Sequence, residues 1–570
     1  MNRNLLIILL FLPGLFASAQ VKEKIFVHTD KEFYLAGEIM WYKIYTVDSF
    51  SHRPLPLSKV AYIEIVARDQ RSVAQARIGL DEGLGNGSFQ LPFSIRSGSY
   101  VLRAYTNWMK NKGPDCFYEK NITILNTLRD PALIDSLIKA PFDNGSTGTG
   151  APASTQSPDY DIQFFPEGGN LVAGLPTHIA FRIVDRSGKP VSCKGTVLKP
   201  TGDPLVHFQT LRFGMGEFLL TPEPNTLYRV SIETDDHQQL TSQLPMPEKQ
   251  GYTMQVTDAG TDQLRIRVHT NNNDPGLKLL VSSRQKEDKP ITNGEAEFTI
   301  EKNTLPDGIS RLTILTNNNL PVCERLWFKA PTPLAIQAHP DKDSYATREK
   351  VNVGLFCTDP SGMPVKLDGS MAVILLDSLQ SLTSDDLLSY LFLSSELKGV
   401  IIDPGYYFSG HTQEVQATTD LLMLTQGWRK FQYTQSPRIA PEYAGLLVTG
   451  KITDKRTGLP VANIPAWICA PGNYFHLAYA TSDTNGMIQW DLGLLYGEHE
   501  LVVQTVQPNK NRYRIDINSS FSETTPRSSF PGLRLPRTAT QQLLWRSIGA
   551  QTQNAWQRAT CPRNRLRRAS

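Results

Sequence analysis

At 570 residues the chain is too long for one core, and its length suggests roughly three to five domains. Hydrophobic residues at 40% and charged residues at 20% are ordinary for globular protein, while 40 Gly and 38 Pro suit a turn-rich β protein better than a helical one. Six cysteines stand singly at 116, 193, 323, 357, 469 and 561, which excludes a CxxC zinc site and a disulfide-stapled scaffold.

Residues 1–19 read as a signal peptide. Arg3 supplies the positive start, 5–16 the apolar run, and Ala17-Ser18-Ala19 the small-residue cleavage site. Roughly 12 apolar residues fall short of the ~20 that a spanning helix needs, and no later run is longer. No cysteine follows the cleavage site, which argues against a lipid anchor. The mature chain is therefore expected to be exported, without a transmembrane segment, and periplasmic, outer-membrane associated or at the cell surface.

Self-similarity sets the organisation of the mature chain. Residues 28–48, HTDKEFYLAGEIMWYKIYTVD, return 311 residues later as DKDSYATREKVNVGLFCTD, 341–359. Asp30/Asp341, Lys31/Lys342, Tyr34/Tyr345, Glu38/Glu349 and Asp48/Asp359 coincide without a gap. The pattern predicts related β-modules, each opening with a turn and an edge strand.

The first module is expected over 20–127. From Glu38 to Val47 residues alternate at period two, placing Met40, Tyr42 and Ile44 on the core face. Trp41 and Tyr45 make the other face unusually apolar, so that face is expected to pack on a neighbouring domain. Residues 60–66 (VAYIEIV) and 100–105 (YVLRAY) read as further strands, with turns at 83–87 and 97–98. A linker comes next, over 128–159. It holds a short helix at 133–139 and a Gly/Ser/Thr/Pro-rich tether at 143–159 that cannot bury a core.

The second module, 160–248, opens with Phe164-Phe165-Pro166-Glu167-Gly168-Gly169 and continues into a strand at 178–184. Its phrase DRSGKPV (185–191) is a hairpin turn that recurs as DPSGMPV (359–365) and, one residue longer, as DKRTGLPV (454–461). The third module, 249–330, ends in a strand at 311–315. The fourth, 331–440, starts at the second copy of the opening stretch and carries a helical insertion. Thr383-Ser384-Asp385-Asp386 reads as its N-cap, with Leu387, Leu388, Leu391 and Leu397 at helical spacing. A second helix is expected over 414–424, stopped near Gly427. The fifth module, 443–518, has strands at 466–469 and 501–505.

The tail, 524–570, breaks these habits. It holds nine Arg and no Lys, Asp or Glu, and the remainder of the chain then carries 49 basic against 55 acidic residues, about −6. A basic nucleic-acid or membrane arm is one reading. The abrupt change of composition favours the other, out-of-frame translation after a frameshift. Both readings predict a disordered segment, and no nucleic-acid partner is assigned.

No catalytic, cofactor-binding or metal-binding residue emerges, and no cofactor is expected. His499-Glu500 begins like a zincin motif, but position 503 is Val. There is no GxSxG elbow and no GxxxxGK[ST] loop. The acids of the DKxxY turns suit hydrogen bonding at a strand entry better than catalysis, with Tyr34 and Tyr345 expected to cover the sandwich edge.

The stretch with Asp30, Lys31, Tyr34, Gly37 and Glu38 resembles the opening of the macroglobulin domain near the N-terminus of α2-macroglobulin-like proteins; the second copy has Arg348 in place of the Gly. The fifth module is similar to carboxypeptidase regulatory-like β-sandwiches. With LLMLTQGWRKF (421–431) before it, the order of parts resembles large envelope proteins of Gram-negative bacteria, some of which continue into a TonB-receptor-like plug. The resemblance implies an all-β fold: a tandem array of macroglobulin/immunoglobulin-like antiparallel β-sandwiches, with a small helical insertion in the fourth module. It also implies a non-catalytic binding or scaffolding role with a protein partner at the cell envelope, a protease or an outer-membrane β-barrel. Two alternatives accompany that role: a non-covalent endopeptidase inhibitor using 143–159 as lure, and an accessory or truncated component of a TonB-linked uptake system. The Cys-Gly-Glu-Gln thioester of covalent protease traps is absent.

Overall fold

The computed structural model describes residues 22–139 and 160–560 apart from 259–261, 283, 348, 381–385, 428–438, 473–474, 496–498, 507–511, 525–529, 531 and 534. The expected signal peptide, the expected tether at 143–159, Arg348 and the first three residues of the expected N-cap lie outside the described residues.

The fold is all-β, built from small, almost wholly antiparallel sheets, most of which close in pairs; the second and third modules each have their own core, and buried residues of the first and fifth form one continuous cluster. In the first module the strand Ile39–Asp48 lies between Glu23–Thr29 and Leu84–Gln90. A five-stranded sheet faces it, with Val60–Val66 and Gly98–Thr106 inside. That second sheet contains one parallel pair, Phe33–Leu35 with Tyr118–Leu125. Met40, Tyr42 and Ile44 are buried, as period two requires. The glycine-rich stretch at 84–87 is strand rather than the expected turn. A Cβ at Gly87 would stand 2.7 Å from the Tyr42 hydroxyl, so the missing side chain lets this strand pass beneath the Tyr42 ring. Gly98 likewise begins a strand.

Three- and four-stranded sheets enclose a core between residues 160 and 244, another such pair does so between 252 and 329, and two three-stranded sheets lie between 447 and 517. The recurring DxSGxPV phrase is one structure used repeatedly. Asp185 Oδ1 accepts the backbone N–H of Ser187 (2.8 Å) and Lys189 (2.9 Å), and Asp359 Oδ1 accepts those of Ser361 and Met363, both at 2.9 Å. Gly188, Gly362 and Gly458 all take the left-handed conformation that closes the turn.

The second copy of the opening stretch departs from expectation. Ala335–Pro340 pairs with Val353–Thr358, and Ala335 faces Thr358 just as Lys24 faces Val47, 311 residues earlier. The register of the first module is thus reproduced residue for residue. Residues 371–377 (MAVILLD) correspond at the same spacing to Val60–Val66 (VAYIEIV), yet 371–376 form no strand. Among the described residues no further strand joins this sheet, so the fourth module is a two-stranded half rather than a closed sandwich. The physical reason lies downstream. Where the first module continues into four more strands, the chain after 380 continues into helices that pack elsewhere.

The first helical stretch starts at Leu387, capped by Asp386, whose side chain accepts the N–H of Ser389 at 2.8 Å. It turns π-helical over Tyr390–Ser394 and lies on the first module, where Tyr390 meets Phe26 and Tyr118. The helix Gln413–Gln426 is capped by Thr412 and ends at Gly427. Its Leu421–Leu424 run joins Ala180, Met215, Leu326 and Phe328 in one core, bridging the second and third modules.

The expected short helix after the first module runs over Pro131–Lys139. The tail carries a correction. Ala539–Thr560 is helix, and Leu535, Ala539 and Leu543, four apart, bury one face against Phe33, Leu35, Leu125 and Ile134. Arg546 pairs with Asp377 at 2.8 Å. The docked face is narrow, and Leu544, Trp545 and Ile548 on the same helix stay exposed.

Candidate interaction surfaces

The DKxxY turns are rigid latches. In the first copy Tyr34 donates to Asp30 Oδ1 (2.8 Å), which also accepts the Trp41 N–H (3.1 Å), tying the turn to its adjoining strand. Lys31 pairs with Glu38 at 2.7 Å, and Glu38 accepts the Leu35 N–H at 2.9 Å. The second copy repeats every contact: Tyr345 to Asp341 (2.5 Å), Asn352 N–H to Asp341 (3.1 Å), Lys342 with Glu349, and Ala346 N–H to Glu349 (2.7 Å). The Asp, Lys, Tyr and Glu side chains of the turn bond to one another and to its backbone, which fits a structural role. Tyr34 is a fully buried core residue rather than an edge cover.

Surroundings separate the two turns electrostatically. Burial pushes the Asp30 carboxyl above its ordinary range, whereas the hydrogen bond from Tyr345 pulls Asp341 below it.

The outer face of the first module meets the later chain in part. Tyr45 Oη lies 2.7 Å from Ser370 Oγ, Lys43 pairs with Asp368, and His28 Nδ1 lies 2.5 Å from Ser370 Oγ. Trp41, expected to pack on a neighbour, instead stays 55% exposed.

The half-module exposes apolar positions that are buried in the first copy. Ile336 is 57% exposed where Ile25 is fully buried, Leu355 is 50% exposed where Ile44 is fully buried, and Val373 is 83% exposed where Tyr62 is 1%. Met371, Leu375 and Leu376 are exposed as well, and Phe356 is exposed on the opposite face of its strand. Exposed apolar residues gathered in this way make the half-module a candidate interaction surface. The repeat led to the expectation of a closed sandwich here, and the structure corrects it: among the described residues the covering strands of the first module have no counterpart.

A buried ion cluster holds the second and third modules and the Gln413–Gln426 helix together. Glu167, from the FFPEGG stretch, meets Arg325 at 2.6 Å and accepts the Val256 N–H at 2.9 Å. Arg325 also pairs with Asp420 at 2.7 Å, while His178 lies 3.7 Å from Glu217 beside them. Glu167 and Arg325 are buried; Asp420 keeps 41% of its side chain exposed. Burial, with Asp420 nearby, pushes Glu167 up to about 7, against the pull of Arg325. Burial raises Asp420 as well. The nearby Glu217 carboxylate raises His178, and His178 in turn lowers Glu217. The motif was visible in the sequence, but its partners come from distant segments.

Among the described residues no group of three or more His, Cys, Asp or Glu could hold a metal ion, and no helix is long and apolar enough to cross a membrane.

No protein-family model and no curated protein matches the chain. Solved structures that resemble it include Salmonella alpha-2-macroglobulin reacted with methylamine, at 12% identity over 87% of this chain and 39% of that one, with a TM-score of 0.16. Escherichia coli alpha-2-macroglobulin activated by porcine elastase resembles it at 9% identity over 87% of this chain and 43% of that one, with a TM-score of 0.19. A tetra-tandem repeat from the extending region of a large adhesion protein is similar at 10% identity, over 88% of this chain and 99% of that one, with a TM-score of 0.15. The chain thus spans about two-fifths of the length of these macroglobulins.

Proposed function

We propose that this chain is an exported, non-catalytic binding or scaffolding protein of the Gram-negative cell envelope, with a macroglobulin-like opening module and a carboxypeptidase regulatory-like fifth module. One observation carries the reading. Positions that form a closed core in the first copy of the repeat are presented to solvent in the second, on a frame held in the same register. A surface that is rigid, apolar and uncovered suits recognition of another protein.

The test is a binding and activity assay on the purified full chain. Added to isolated Gram-negative envelopes, it is expected to sediment with them, and to leave peptide, ester and glycoside substrates intact. A chain that stays wholly in the supernatant, or that turns over any of these substrates, overturns the proposal. Incubation with several proteases decides against the inhibitor alternative if the proteases keep their activity toward protein substrates, and in its favour if they lose it.

A further inference from the structure

We infer that the half-module is a self-association site, in which the open edge of Val353–Thr358 pairs antiparallel with the same edge of a second copy of this chain. The inference deepens the binding reading by naming its first partner.

The first module shows what this edge is built to accept. There the equivalent strand Ile39–Asp48 carries Leu84–Gln90 on its second edge, antiparallel, with Met40 opposite Phe89 and Tyr42 opposite Gly87. The groups that make those bonds are on even positions: Thr46 N–H donates to Gly83, and Glu38 C=O accepts from Leu91. Carried across the 311-residue spacing, the even positions between them, Met40, Tyr42 and Ile44, fall on Val351, Val353 and Leu355. Among the described residues no strand pairs with them. Only the C-terminal end of the edge is engaged, where the Val365 N–H reaches the Cys357 carbonyl at 3.1 Å.

The chemistry of the edge favours its own copy. An exposed strand edge is commonly guarded by a charge, often Lys, or by Pro. The first copy has Lys43 in its strand; the second has Gly354 there, and residues 351–358 (VNVGLFCT) hold neither charge nor Pro. Two identical edges can therefore meet without like-charge repulsion. A two-fold axis makes a strand antiparallel to itself, the arrangement the edge already accepts in the first module, and closed two-fold contacts are the commonest in homo-oligomers. An axis through Gly354 would set Val353 against Leu355 of the second copy. It would leave the two glycines about 4.5 Å apart at the closest type of pair. The resulting four-stranded sheet would bring Ile336, Val353 and Leu355 of both copies onto one apolar face.

Sedimentation velocity on the full chain, under reducing conditions and over a range of concentrations, tests the inference. The wild type is expected to pass from monomer to dimer as concentration rises. Gly354→Lys restores the residue that the first copy tolerates in this strand, and should shift the midpoint to at least tenfold higher concentration. Gly354→Ala adds a Cβ whose nearest neighbour is 3.4 Å away, and should leave the midpoint within twofold. A wild type that is monomeric throughout, or a dimer indifferent to Gly354→Lys, overturns the pairing. A monomer that still sediments with envelopes removes the pairing alone, whereas a dimer that ignores envelopes removes the scaffold reading alone.

Discussion

The same 19-residue plan is used twice in this molecule, with opposite outcomes. Around Asp30 the DKxxY latch feeds a strand that is closed into a sandwich, and Met40, Tyr42 and Ile44 are buried. Around Asp341 the latch and the strand register are reproduced, yet the apolar positions face water. The contrast separates two things that sequence similarity fuses. Local hydrogen bonds define the turn and the pairing, and they need only about 25 residues of chain. Burial needs a second layer, and in the second copy the chain spends its next residues on helices docked against other modules.

Disrupting that docking should have the largest effect. Arg325→Ala should cost about 3–5 kcal/mol at the junction, because Glu167 would be left buried without its counter-charge. Denaturant unfolding followed at the Gln413–Gln426 helix reads the effect. The junction should also respond to pH. Glu167 has a folded pKa raised to about 7 from an ordinary value of 4.5, so the folded state holds its proton more tightly. Its contribution is fully present below pH 4.5 and is lost as pH rises through about 7. Glu167→Gln keeps an acceptor for the Val256 N–H, and should flatten that part of the stability-against-pH curve.

Paired substitutions put numbers on the difference between the two copies. Ile44→Ala should destabilise the first module by about 2–5 kcal/mol, while Leu355→Ala at the matching position should stay within about 0.5 kcal/mol for the monomer. Local unfolding free energies from native-state hydrogen exchange measure both. Tyr34→Phe leaves the half-buried Asp30 short of a donor and should cost about 1–3 kcal/mol; Tyr345→Phe, in the exposed latch, should cost less than about 0.5 kcal/mol. The smallest effect is one of direction. NMR titration of the carboxyl carbons should place Asp30 above its ordinary range and Asp341 below it. Asp30 therefore favours its fold less as pH rises through its pKa. Asp341 contributes above its ordinary range and ceases to contribute as pH falls through its own.

Much of the fold was legible because its determinants are local. Period two placed Met40, Tyr42 and Ile44 inward, and Asp with Gly three or four residues on marked the same turn at 185, 359 and 454. Val60–Val66 matches its expected bounds, and the Gln413–Gln426 helix differs from its own by two residues or fewer. What failed was non-local. Gly83 to Gly87 looked like a turn because the closeness of the Tyr42 ring is invisible in the sequence. Glu167 was seen as part of a motif, but nothing links it to Arg325 until the third module is in place. The tail helix was missed because the stripe of Leu535, Ala539 and Leu543 is blurred by neighbouring apolar residues, Leu544, Trp545 and Ile548, that stay exposed. For the half-module a signal did exist. Gly354 replaces Lys43, and the strand pattern of the first copy stops after 377, so the repeat could have been read as unfinished.

Hydrogen exchange on dilute wild-type protein decides whether the second copy is open, by comparing residues 40–45 with 351–356 in one sample. An open second copy predicts slow exchange at Met40, Tyr42 and Ile44 and fast exchange at Val351, Val353 and Leu355. Equal protection of the two sets at every dilution would mean instead that the second copy is closed by its own chain.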